Sequence, residues 1–246
     1  MSNGKSVELV TDKIDLLENQ IKRYLNLKEG IFDNEYLEIA GDTVQFIGAV
    51  KKISSLIMQK RFESFLKGFD NEDPNVDQIE RLIKYVNNER KAEFLSDTLS
   101  KIMLARSTKA CVIMGTLFSS LIDDKANISH IDLIGLQALS QFFDDDIVNY
   151  VFICRYIQMK GENKYTVLWG SKFIQALNNE GLEEESVMLT IEKSVSNQLL
   201  SKINDVELSI DDDHPSFSSS AEVEENFKIT KPGEVLNKYI LKSGLN

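Results

Sequence analysis

The chain has 246 residues, a net charge of −11, 42% hydrophobic residues, 12 glycines and three prolines. Its hydrophobic content excludes a wholly disordered chain, and the scarcity of turn-forming residues argues against a β-sandwich or barrel. The acidic charge repels phosphate backbones, so a nucleic-acid-binding protein would need a local basic patch. The simpler interpretation of the negative net charge is that it keeps a cytoplasmic protein in solution.

The two cysteines, Cys111 and Cys154, lie in apolar runs and are interpreted as buried small hydrophobic residues. The first residues are polar and charged, which predicts that there is no secretory signal. No apolar run reaches 18 residues, which predicts that stable membrane insertion does not occur. We therefore expect a cytoplasmic protein.

Apolar spacing predicts mainly α-helical structure, with an N-terminal helical arm over residues 1–42 and a helical domain over residues 43–158. The first helix is predicted over residues 7–27. Its apolar face is formed by Val10, Ile14, Leu17, Ile21 and Leu25. In the second region, Ser107 or Thr108 is expected to cap one helix, and Ser129 with Asp132 is expected to form a capping box.

The helix predicted over residues 43–69 is basic, in contrast to the rest of the chain. The positions are Lys51, Lys52, Lys60, Arg61 and Lys67. One interpretation is a surface for anionic lipid or nucleic acid. The alternative is a core helix whose solvated side is basic and pairs with acidic neighbours.

Three acidic clusters invite a metal interpretation: residues 70–74, residues 144–146, and Asp213 with His214. Pro74 breaks the calcium-loop pattern, and the cluster at 144–146 suits the positive end of a helix. The histidine in an acidic loop is interpreted as solvated. We predict no metal site and no cofactor.

Residues 159–246 differ in character and are predicted to form a small α+β module. A β-leaning segment over residues 165–169 is followed by helices over residues 172–179 and 187–203. Residues from about 205 to 226 are acidic and rich in serine, which predicts a solvated loop. A short strand at residues 227–229 and a last helix complete the module.

The end of this module resembles that of bacterial winged-helix proteins, in which a wing strand reaches a threonine, a glycine follows three residues later, and a helix closes the domain. Those positions are Thr230, Gly233 and Tyr239. The resemblance also places Lys172 on a candidate recognition helix and Gly181 at the end of that helix. It implies a winged-helix-like module, so the predicted fold is a multi-helix array, indicated by apolar spacing, followed by that module.

The whole chain also resembles uncharacterised helical proteins of prophages and mobile elements in low-GC bacteria, from the segment at residues 61–66 through the stacked helices to the tail. That resemblance implies a regulatory, immunity or anti-phage role and brings no catalytic residue with it.

The chain lacks a P-loop, a glycine-rich dinucleotide turn, a His-Glu-x-x-His motif and a nucleophile elbow. We predict no catalytic residue, although paired carboxylates distant in sequence stay open. The predicted function is a non-catalytic regulatory or protein-interaction protein, with a protein partner or a second copy. The alternative is a winged-helix DNA-binding transcriptional regulator, which the acidic charge disfavours: residues 160–246 hold nine lysines, no arginine and fifteen acids.

Overall fold

The computed structural model describes residues 3–24, 56–70, 73–123, 128–161, 165–210 and 219–245. Ten helices and three strands lie in these ranges, which confirms the predicted fold class of a helical array followed by a small α+β module. The elements are α1 (Asn3–Tyr24), α2 (Leu56–Asp70), α3 (Val76–Tyr85), α4 (Glu89–Leu104), α5 (Thr108–Asp123), α6 (His130–Gln141), α7 (Asp144–Met159), β1 (Thr166–Val167), α8 (Ser171–Asn179), α9 (Glu184–Ser196), β2 (Leu200–Ile210), β3 (Ser219–Ile229) and α10 (Lys231–Lys242).

The chain divides into two compact units. The first comprises residues 1–144 and 239–245, and the second comprises residues 145–238. The division predicted from sequence, at residues 1–42, 43–158 and 159–246, stays a prediction.

Helix α5 is the central helix of the first unit, because every residue from 110 to 121 is buried. Its Phe118 ring lies 5.3 Å from that of Phe94 and 5.0 Å from that of Tyr85, measured between centroids. Phe65 from α2 packs edge-on to Phe118 at 5.8 Å. This aromatic cluster forms the centre of the core and accounts for the phenylalanines of α2 without a ligand.

Helices α2 and α5 approach each other through one glycine on each. A Cβ atom on Gly68 would lie 2.0 Å from the Val112 carbonyl oxygen, and one on Gly115 would lie 1.9 Å from the Phe65 carbonyl oxygen. The hydroxyl of Thr116 donates to the Gly68 carbonyl at 3.0 Å. The two backbones are therefore close enough that only glycine fits at these two positions.

Helix boundaries in the first unit follow local capping signals. Ser129 accepts from the Asp132 backbone N–H at 3.3 Å while the Asp132 carboxylate accepts from the Ser129 N–H at 3.0 Å, which confirms the predicted capping box. Ser107 accepts from the Ala110 N–H at 3.0 Å and is the cap of α5. In α1, Ile14, Leu17 and Ile21 are buried, as the apolar spacing predicts.

The second unit follows the order helix, strand, two helices and two strands, from α7 to β3. Its sheet is antiparallel with the strand order β1-β3-β2. Helix α8 ends at Asn179, and Gly181 follows with a φ of 68°. The Leu182 N–H donates to the Leu177 carbonyl at 3.2 Å. This glycine provides the left-handed residue of a Schellman turn and separates α8 from α9.

The helix predicted over residues 187–203 stops earlier than its apolar spacing indicated. Helix α9 ends at Ser196, and Gln198 adopts a φ of 60°. The Leu199 N–H donates to the Ser194 carbonyl at 2.8 Å, which completes a second Schellman turn. The prediction was wrong for residues 197–203 because no glycine marks this turn in the sequence.

The acidic loop predicted from about 205 to 226 was also wrong over most of its length. Residues 205–210 belong to β2 and residues 219–226 to β3, paired from Leu200↔Ile229 to Ile210↔Ser219. Residues 211–218 lie outside the described residues. Val206, Leu208 and Ile210 alternate with polar residues, which is a strand signal that the high charge and serine content obscured. Backbone pairing satisfies the N–H and carbonyl groups here whatever side chains they carry.

Candidate functional site: the outer face of helix α9

Helix α9 has one buried face and one exposed face of different chemistry. Val187, Thr190, Ile191 and Ser194 are buried. On the other side, Met188 is 42% exposed and Leu189 is 63% exposed. The residues around them on this outer face are also exposed, namely Glu184, Glu185 and Glu192. The outer face of α9 is therefore an apolar pair surrounded by carboxylates.

A polar network attaches α9 to α7. The Asp146 carboxylate is buried and accepts from the Lys193 ammonium at 2.6 Å and from the Thr190 hydroxyl at 2.9 Å. The Asn149 amide donates to the Ser186 hydroxyl at 2.9 Å and to the Thr190 hydroxyl at 3.1 Å. Because a buried carboxylate is tolerated only when it is paired, these bonds hold α9 in one rotation about its axis. The outer face is thereby held toward solvent.

Thr230 and Gly233, both predicted from the winged-helix resemblance, meet at the start of α10. The Thr230 hydroxyl accepts from the Gly233 N–H at 3.2 Å and donates to backbone carbonyls just before β2, with Leu199 O at 3.0 Å. The Tyr150 hydroxyl donates to the Gly233 carbonyl at 2.9 Å. A Cβ atom on Gly233 would lie 2.2 Å from the Leu199 carbonyl oxygen. The contacts of Thr230 and Gly233 therefore hold the start of α10 against the start of β2.

The other predicted module positions lie elsewhere. Lys172 is exposed in the first turn of α8, and Gly181 lies in the turn between α8 and α9. Tyr239 is half-buried in α10. The sequence analysis did not single out Met188 and Leu189. These two residues are adjacent and apolar and lie outside the helix face of Ile191, a pattern that indicates an exposed apolar pair.

The predicted basic surface is described in part. Lys51 and Lys52 lie outside the described residues. Lys60 and Lys67 are exposed on α2, seven residues apart and so on one side of the helix. Arg61 donates to the Met103 carbonyl in the last turn of α4, a position where a cation is favourable. Arg61 thus has a structural partner, and a ligand for the surface stays a prediction.

Two of the three acidic clusters have partners within the chain. Asp70 pairs with Arg81 at 3.0 Å. Asp144 accepts from the Ser107 hydroxyl, and Asp146 accepts from Lys193. Asp213 and His214 lie outside the described residues. Within the described ranges, no three His, Cys, Asp or Glu residues are grouped so as to hold a metal ion.

Both cysteine thiols are buried, and burial raises the pKa of each to about 12. The thiolate is the reactive form, so these residues are inert near neutral pH. His130 is exposed in the first turn of α6. Burial also raises the pKa of Tyr150 well above its usual value, which keeps the hydroxyl protonated as the donor to Gly233.

Trp169, the only tryptophan of the chain, reports on the sheet of the second unit. Its indole N–H donates to the Glu225 carboxylate at 3.2 Å, and the Lys202 ammonium lies 2.5 Å from the other carboxylate oxygen. The hydrogen bond from Lys202, followed by that from Trp169, holds the pKa of Glu225 below its usual value of 4.5.

We expect Trp169 fluorescence to change with a midpoint below pH 4.5 as Glu225 is protonated and stops accepting from the indole. A carboxyl group with a lowered folded-state pKa contributes stability above its unfolded pKa, and this contribution is lost as pH falls through the folded value. A fluorescence titration at constant ionic strength measures the midpoint.

Glu225→Gln is the matched control for this titration, because it keeps the side-chain shape and removes the ionisable group. Its emission should stay constant between pH 5 and the onset of acid unfolding, which circular dichroism identifies. An unchanged transition in Glu225→Gln would show that another group is responsible.

Comparisons with known protein families, characterised proteins and solved structures gave no match for this chain. Within the described ranges, no helix is both long enough and apolar enough to cross a membrane.

Proposed function

We propose that this protein is a non-catalytic interaction protein that binds a partner protein through the outer face of α9. The observation that carries the proposal is the chemistry of this face: two exposed apolar side chains surrounded by three glutamates. Exposed apolar residues rimmed by charged ones are typical of protein-binding surfaces.

The order of elements in the second unit supports the winged-helix comparison made from the tail. In helix-turn-helix modules, the second helix of the pair lies in the DNA major groove. Here the second helix of the pair is α9 and not α8, the helix of Lys172 that was the candidate recognition helix in the sequence. The one lysine of α9, Lys193, is paired with Asp146. Such a helix repels phosphates where a DNA-reading helix attracts them. The module is thus better suited to docking a protein than to reading DNA.

The partner is expected to present an apolar side chain bordered by lysine or arginine. Met188 is flexible and fits irregular apolar surfaces, while Glu185 and Glu192 complement basic groups at the edge. A second copy of the chain and a separate protein are both consistent with this chemistry. The resemblance to helical proteins of prophages supports a regulatory or phage-defence setting, in the cytoplasm.

The test uses affinity capture with the full chain, followed by binding measurements on the recovered partner. Leu189→Glu should weaken binding at least tenfold, because burying an unpaired charge in an apolar contact costs more than about 1.4 kcal/mol. Met159→Glu is the matched control: Met159 is 74% exposed at the end of α7, so the same change in chemistry should leave binding unaltered. Sedimentation velocity tests self-association in the same variants.

Equal binding by the wild type and Leu189→Glu would contradict the proposal. DNA binding by the winged-helix module is the second candidate, favoured by the order of elements. Salt-dependent binding to duplex DNA that is lost on substitution within α9 would support that candidate instead.

A further inference from the structure

A second exposed apolar surface lies in the first unit, where α2 begins and α4 ends. Its aliphatic side chains are among the most exposed large hydrophobic residues of the described ranges: Leu56 is 71% exposed, Leu104 is 66% exposed and Ile57 is 65% exposed. We call these three residues the α2–α4 patch. Removing aliphatic side chains from water is favourable, so a group of them on the surface is a candidate for contact with another molecule.

One hydrogen bond brings the two helix ends together. The Arg61 guanidinium donates to the Met103 carbonyl in the last turn of α4. Ile57 lies one turn before Arg61 on the same side of α2, and Leu104 directly follows Met103. The aliphatic side chains therefore flank one contact and belong to a single surface, although they are far apart in the chain.

The charged groups next to the α2–α4 patch are cations, in a chain whose net charge is −11. Among the described residues within four positions of the patch in the chain, every charged one is basic, namely Lys60, Arg61, Lys101 and Arg106. Lys60 and Arg106 are exposed, and Lys101 pairs with Asp97. The nearest acid along α2 is Glu63, three residues beyond Lys60. The α2–α4 patch is thus apolar with a basic edge.

The outer face of α9 has the opposite charge around its apolar residues. Met188 and Leu189 form its apolar pair, and three exposed glutamates surround them. The partner proposed for this face presents an apolar side chain bordered by lysine or arginine, and the α2–α4 patch has this chemistry. Both surfaces are exposed, so a second copy of the chain can reach either one. Two α9 faces, by comparison, would place glutamates against glutamates, which costs free energy.

We propose that the partner of the outer face of α9 is the α2–α4 patch of a second copy of this chain. This inference rests on the function proposed above and names the partner. The apolar side chains of the two surfaces would be buried against each other, while Lys60 and Arg106 would lie opposite the glutamates of α9. Because two different surfaces meet, one copy keeps a free patch and the other a free α9 face. Such a head-to-tail contact closes into a ring or continues through further copies.

The self-association is expected to be weak, because few apolar side chains carry it and small interfaces are typical of transient contacts. The net charge of −11 adds a general repulsion between copies. Salt near the physiological concentration screens this long-range repulsion, while charges buried in a contact are screened much less. Sedimentation velocity in such a buffer, over rising protein concentration, therefore measures the association.

The experiment uses two variants of the full chain, each of which lacks one surface. Ile57→Glu places an acid in the α2–α4 patch, and Leu189→Glu places one in the outer face of α9. Each variant alone should self-associate about tenfold more weakly than the wild type or less, because the contact would bury an unpaired charge. An equimolar mixture should form a one-to-one dimer, since the intact α9 face of one variant meets the intact patch of the other.

Two further variants test the chemistry of the contact. Lys60→Glu should weaken self-association severalfold, because it replaces a cation at the edge of the patch with an acid. Met159→Glu is the control: Met159 is exposed and belongs to neither surface, so this variant should associate as the wild type does. All the replaced side chains are exposed, so the fold should be retained, and circular dichroism checks this.

Unaltered self-association of Ile57→Glu would overturn the proposal, and so would a mixture that forms no dimer at concentrations where the wild type associates. A wild-type chain that stays monomeric up to its solubility limit would overturn it as well. None of these results contradicts protein binding by α9, which fails only if Leu189→Glu binds the recovered partner as well as the wild type does.

Discussion

Replacing Gly115 with alanine is expected to destabilise the first unit by about 3 kcal/mol or more, the upper end of the range for overpacked cores. The added Cβ would lie 1.9 Å from the Phe65 carbonyl oxygen, 2.9 Å from its carbonyl carbon and 3.1 Å from the Gly68 Cα. These are backbone atoms, so no side-chain rotation relieves the clash. Helix α5 would have to move away from α2, which would also stretch the Thr116 hydrogen bond to Gly68 at the same crossing.

Urea unfolding followed by circular dichroism measures this loss. Gly135→Ala in α6 is the matched control, since its Cβ would meet nothing closer than the Leu117 Cδ1 at 3.8 Å. Alanine is favoured over glycine inside a helix by about 1 kcal/mol, so the control should be as stable as the wild type or more stable. Equal stability of the two variants would show that α2 and α5 are not in backbone contact.

Replacing Gly233 with alanine should destabilise the second unit by about 2 kcal/mol or more. The new Cβ would lie 2.2 Å from the Leu199 carbonyl oxygen and 2.8 Å from the Tyr150 hydroxyl oxygen. The start of α10 would be pushed from the start of β2, and the Tyr150 hydroxyl would lose its acceptor at 2.9 Å. Because alanine favours helix formation, any loss must come from this tertiary contact.

Trp169 fluorescence follows unfolding of the second unit in this variant. Gly170→Ala is the control, because its Cβ would meet no atom within 4 Å and the cost of alanine at an N-cap is about 1 kcal/mol or less. Tyr150→Phe separates the two parts of the contact: losing the hydroxyl alone should cost about 1 kcal/mol. A Gly233→Ala variant no less stable than Tyr150→Phe would contradict the close approach of α10 and β2.

Structural features that depend on residues within one helical turn could be predicted from the sequence. The capping box of Ser129 and Asp132 needs only residues three apart, and the buried face of α1 needs only a repeat of three or four. The turn at Gly181 was readable because glycine tolerates a positive φ. The turn at Gln198 was not, since glutamine rarely adopts that conformation and nothing local marks it.

The candidate site on the outer face of α9 could not be predicted fully from neighbouring residues in the sequence. Val187 and Ile191 form the apolar side of α9, and the pairing of Lys193 with Asp146, more than forty residues earlier, adds a contact on the buried side that the sequence does not reveal. Met188 and Leu189 are left on the exposed side.

The sequence by itself determined a mainly helical chain, several helix boundaries of the described ranges and a change to α+β structure near the end, because these depend on apolar period and on capping over a few residues. Only the tertiary structure decided the β2–β3 hairpin, the glycine contacts at Gly115 and Gly233, and the exposed side of α9. Those features depend on backbone pairing and packing between residues far apart in the chain, which the spacing of neighbouring residues does not by itself fix.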